Sequence, residues 1–102
     1  MNVDLPKALG RKHYSILKRL FMEEPDQNLT MNEIQDLIRK ILSIDSFGLT
    51  GWVDTATGAR IEVVLGDASA VFEDIELDKP ALLGNIDEAR RLLRDLGIVP
   101  VD

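Results

Sequence analysis

His13 is the only histidine in the chain, and there is no cysteine. Nucleophilic or acid–base chemistry would therefore need the fold to bring a serine or a carboxylate to that one imidazole. Its position on the apolar stripe of the first helix, among Arg11, Lys12 and Tyr14, points instead to half-buried packing. A second group with chemical capacity is Glu73, Asp74, Glu76 and Asp78, whose oxygens would suit calcium or magnesium. A calcium loop places acids at alternate positions around a central glycine and ends on a glutamate. Here Phe72, Ile75 and Leu77 interleave as they would along a strand, so the acids read as a charged strand edge that discourages aggregation. No catalytic, metal-ligating or cofactor-binding set emerges, and enzymatic activity is not expected.

Two further segments have the letters of chemistry without its context. Asp45-Ser46-Phe47 resembles the Asp-Ser-Leu attachment site of acyl carrier proteins, whose serine opens a helix; here Gly48, Thr50 and Gly51 follow and lead into a strand. Gly48, Gly51 and Gly58 do not make a phosphate loop, because neither a lysine nor a helix start follows them.

The charge balance narrows the partner class. The net charge is −6, yet residues 1–22 carry five bases against Asp4 alone, while residues 23–102 carry seventeen acids against seven bases. A polyanion would have to meet the first helix and avoid the rest. The nucleic-acid surface, if there is one, comprises Arg11, Lys12, Tyr14, Lys18 and Arg19. With 102 residues the chain forms a single domain that can bury a core without disulfides, and no apolar run reaches the length of a membrane span. The absence of cysteine and of a signal-like start leads us to expect a cytoplasmic protein.

The elements that must position these residues follow from periodicity. Leu9, His13, Ile16, Leu17, Leu20 and Phe21 predict a helix over 5–24, weakened at Gly10 so that its firm part begins near Arg11. Thr30 and Glu33 form a capping box, with Leu29 and Ile34 as its staple. It opens a helix whose stripe is Ile34, Leu37, Ile38, Ile41 and Leu42, with Gln35, Asp36, Arg39 and Lys40 opposite. The two helices should pack antiparallel, with a short extended piece allowed at Leu29 and Thr30. Leu49–Leu65 reads as a hairpin turning at Asp54 to Gly58, the latter with positive φ. A second turn at Gly66–Ser69 precedes a third strand over 71–77, although Asp67 could instead cap a short helix in that stretch. Asn85 is expected to cap a last helix with Ile86, Ala89, Leu92, Leu93 and Leu96 inward, stopping at Gly97. The expected fold is α+β: an N-terminal antiparallel helix pair, a three-stranded antiparallel meander and a C-terminal helix.

The order α-β-β-β-α from the second helix onward is similar to that of double-stranded-RNA-binding domains. That family places basic residues at the start of its final helix and a histidine in its first hairpin loop; this chain has Asn85, Ile86, Asp87 and Glu88, and no such histidine. A winged-helix arrangement meets Gly48 and Gly51 where its recognition helix would lie. The favoured expectation is a non-enzymatic, acidic protein-interaction module, regulatory or inhibitory, binding a basic protein partner or itself. Its interface is expected at Trp52, Phe72, Glu73, Asp74 and Glu76, unless Leu92, Leu93 and Leu96 of the last helix cover Trp52 as core. The alternative is a nucleic-acid-binding regulator that uses the basic first helix. Neither a membrane nor a small-molecule substrate is expected as a partner.

Overall fold

The computed structural model describes residues 5–24, 28–44, 48–54, 60–76 and 78–100, apart from the side chains of 5–7 and 52–54. The class is α+β, with α1 (Leu5–Leu20), α2 (Met31–Leu42), β1 (Gly51–Asp54), β2 (Ile61–Leu65), β3 (Ala68–Phe72) and α3 (Leu83–Asp95) in chain order. The strands pair antiparallel in the order β1-β2-β3. Among the described residues no helix is long and apolar enough to cross a membrane.

α1 is interrupted at Gly10, whose φ of 81° and ψ of 166° are non-helical. Only glycine takes that geometry without strain, so the straight part begins at Arg11. The helix stops at Leu20, short of the expected Glu24, and Arg90 of α3 supplies donors to carbonyls at and just beyond its end. Arg90 Nε donates to Leu20 O at 2.6 Å, and its Nη2 donates to Met22 O. The α2 capping box is present. Glu33 N donates to Thr30 Oγ1 at 3.2 Å, Thr30 N donates to Glu33 Oε1 at 3.2 Å, and Leu29 and Ile34 are both buried. The extended piece at Thr30 forms an isolated bridge with Pro80.

Gly51 sits where a Cβ would come within 1.9 Å of Val64 O, so β1 can approach β2 only with glycine there. β2 and β3 are joined by Gly66 and Asp67 alone, with φ of 58° at Gly66, the first central position of the turn. The turn is thus two residues shorter than expected. The third strand also starts earlier than expected, at Ala68, and ends at Phe72 instead of 77. It ends there because the backbone of Glu73 bonds to Asn85, after which Asp74 takes φ of 54° and leaves the strand conformation. The hairpin loop at 55–59, with Gly58, lies outside the described residues, as does the side chain of Asp54.

One face of the sheet carries the core. Ile61, Val63 and Leu65 of β2 stand opposite Phe72, Ala70 and Ala68 of β3, and all but Ala68 are fully buried, with Ala68 packed against them. α2 lies against β1, α3 against β3, and α1 closes the layer against α2 and α3. α1 and α2 run antiparallel, since Arg19 meets Glu33 while His13 meets Asp36. α3 begins at Leu83, with Leu82 as an N-cap that makes no side-chain bond, so Asn85 is not the cap. The helix ends in a Schellman motif: Gly97, at φ of 75°, donates to Arg94 O, and Ile98 donates to Leu93 O, both at 2.9 Å.

Candidate functional site

Two depressions of the described surface lie along α1. On its outer side Arg11, Tyr14, Ser15, Lys18, Arg19 and Met22 line a shallow depression of about 790 Å³. Tyr14 is half-buried, with Lys18 Nζ 6.0 Å from its ring centroid, while Met22 is 49% exposed just past the helix end. A cation over an aromatic face, next to a flexible thioether, makes a surface that is basic and apolar at once.

Ser15 and Arg19 are shared with a second groove of about 560 Å³, between α1 and α2. Ion pairs span it. Arg19 donates to both oxygens of Glu33, at 2.6 and 3.5 Å, and Asp36 Oδ2 lies 3.1 Å from His13 Nε2 and 3.4 Å from Lys12 Nζ. Burial on its own would raise the pKa of Glu33, but the Arg19 and Thr30 hydrogen bonds together with the Arg19 charge outweigh it. The carboxyl therefore titrates below its ordinary value. Asp36 behaves alike: desolvation is overcome by hydrogen bonds and charge from His13 and Lys12, and its pKa is lowered. Gln35, which also lines this groove, is only 6% exposed, and its Nε2 has no hydrogen-bond partner among the described residues. Gln35 was expected on the solvent side of α2. It is buried because α2 is covered by the sheet on one flank and by α1 on the other, which widens the arc beyond the apolar stripe.

The expected nucleic-acid residues thus divide. Arg11 and Lys18 are exposed on the outer side, Tyr14 lies beneath Lys18, and Lys12 and Arg19 face the carboxylates of α2. His13 does sit beside a carboxylate, but it is not among the residues lining the groove, and its Asp36 partner is shared with Lys12. That arrangement ties the two helices together.

The expected protein interface divides as well. Phe72 is completely buried, which corrects its assignment to an exposed interface: its register partner is Ile61 on the helix-covered face. The signal was in the sequence, since any even-length turn after Leu65 sets Phe72 on the same face as Ile61, Val63 and Leu65. Glu73, Asp74 and Glu76 are exposed together in the segment after β3. Trp52 stands opposite Val64 in register, and its side chain lies outside the described residues, as does the Asp45-Ser46-Phe47 segment. Among the described residues, no three histidine or carboxylate groups converge to hold a metal ion.

Sequence reasoning missed the exposed apolar residues Met22, Leu82 and Leu83. Met22 lies beyond the last turn of α1, where helical phase no longer applies, and Leu82 and Leu83 are the N-cap and first residue of α3, ahead of the residues that set its apolar stripe. It also missed what Asn85, 6% exposed, does instead of capping: its Oδ1 accepts from Glu73 N at 3.1 Å and its Nδ2 donates to Glu73 O at 2.8 Å. Comparison with known proteins adds no relative: no family model, no curated protein and no solved structure matches the chain.

Proposed function

We propose that the protein is a non-enzymatic interaction module that receives a protein segment along the outer face of α1. The observation that carries this reading is the depression in which Tyr14 and the exposed Met22 sit between the exposed cations Arg11 and Lys18. Apolar contact surface ringed by cations suits a segment that interleaves acidic and apolar side chains. A polynucleotide is a poorer fit, because affinity for phosphate grows with the number of uncommitted cations, and Lys12 and Arg19 already face Asp36 and Glu33. The acids Glu73, Asp74 and Glu76 remain a surface for basic groups, so a protein partner or a second copy of the chain stays the favoured class.

Fluorescence anisotropy tests this with a labelled peptide of alternating leucine and glutamate and, in parallel, a labelled 20-base-pair DNA. The peptide should bind the full chain, and Lys18→Ser combined with Met22→Ser should weaken it at least about tenfold, the equivalent of roughly 1.4 kcal/mol. DNA binding tighter than peptide binding, or peptide binding indifferent to the double substitution, would overturn the reading.

A further inference from the structure

We infer that the segment received by α1 is the 73–83 stretch of a second copy of this chain, docked head to tail; this rests on the reading of α1 above. The two surfaces are complementary in both charge and polarity. Glu73, Asp74, Glu76 and Asp78 are all exposed, and the same stretch ends in Leu82 and Leu83, which are 54% and 67% exposed. Leu83 is the most exposed large apolar side chain among the described residues. Lys79 neutralises part of the acidic charge through Glu76 at 2.6 Å, leaving Glu73, Asp74 and Asp78 to meet Arg11 and Lys18. Leu82 and Leu83 then have an apolar counterpart in Tyr14 and Met22.

The surfaces share no residue and belong to different elements, so each copy presents one donor surface and one acceptor surface. Contacts of that kind are heterologous, and they add copies in a chain unless the rotation closes a ring. The net charge of −6 opposes association at long range, but at physiological ionic strength that repulsion is screened beyond about 8 Å while pairs in contact are not.

Sedimentation velocity on the full chain over a range of concentrations tests the arrangement. Two variants each disable one surface: K18S/M22S on α1 and L82S/L83S on the segment, where serine at the N-cap position of α3 favours the helix. Wild type should grow past a dimer as concentration rises, and each variant alone should associate at least tenfold more weakly. An equimolar mixture of the two variants should recover association but stop at a dimer, since only one intact pair of surfaces is available. A wild type that stays monomeric, variants that associate like wild type, or a mixture that stays monomeric would each overturn the inference. The leucine–glutamate peptide separates the two failures: if it binds α1 while wild type stays monomeric, self-docking falls and the reading of α1 stands.

Discussion

The seam between α1 and α2 and the seam between α3 and β3 both seal aliphatic core beneath polar side chains, but they do it with different partners. At the first, side chain meets side chain: Arg19 with Glu33, and His13 and Lys12 with Asp36, with Gln35 left with an unpaired amide nitrogen. At the second, side chain meets backbone: Asn85 clasps both the N–H and the C=O of Glu73, and Arg91 Nη2 donates to Ser69 O at 2.8 Å. Backbone groups cannot choose another rotamer, so bonds to them fix where one element lies on another. Pairs of long side chains at a solvent-facing seam give little net stability and can rearrange. The comparison teaches where each job is done: bonds to backbone fix α3 on the sheet, whereas the α1–α2 seam is closed by side-chain pairs that can rearrange.

The largest expected effect breaks the fixed seam. Asn85→Ala removes both bonds to Glu73 and should cost about 2–3 kcal/mol, as expected when buried polar groups lose their partners. The urea midpoint measures it, and a loss below about 0.5 kcal/mol would mean that water replaces the amide. Next, Gln35→Leu should stabilise the protein by about 1–2 kcal/mol, because it removes a buried donor that has no acceptor. A lower melting temperature in that variant would show that Gln35 is satisfied in solution.

The smallest effect is also the one that depends on pH. Glu33→Gln keeps a capping side chain for Thr30 but removes the charge facing Arg19, so at pH 7 it should cost about 0.5–1 kcal/mol. Because the pKa of Glu33 is lowered in the folded state, its contribution is complete above the unfolded carboxylate pKa and disappears as the pH falls through the folded value. Urea midpoints of wild type and variant should therefore converge as the pH falls below the ordinary carboxylate range. A gap that persists to the acid end would assign the effect to capping.

What the sequence determined by itself was whatever is settled within a few residues. The Thr30–Glu33 box closes over three residues, the Gly10 break is local backbone chemistry, and the stop at Gly97 needs only the last turn of the helix, so each could be read before any packing was known. The α+β class followed from the same local periods. Tertiary structure decided everything that depends on which neighbour arrives. Gln35 was buried because α1 covers the flank of α2, and Asn85 lies inside α3 with its amide bonded to both the N–H and the C=O of Glu73. The basic first helix was legible as a composition. Only the positions of Glu33 and Asp36 opposite it separated the cations that hold helices together from those that face outward, because an ion pair across two helices leaves no periodic trace in either one.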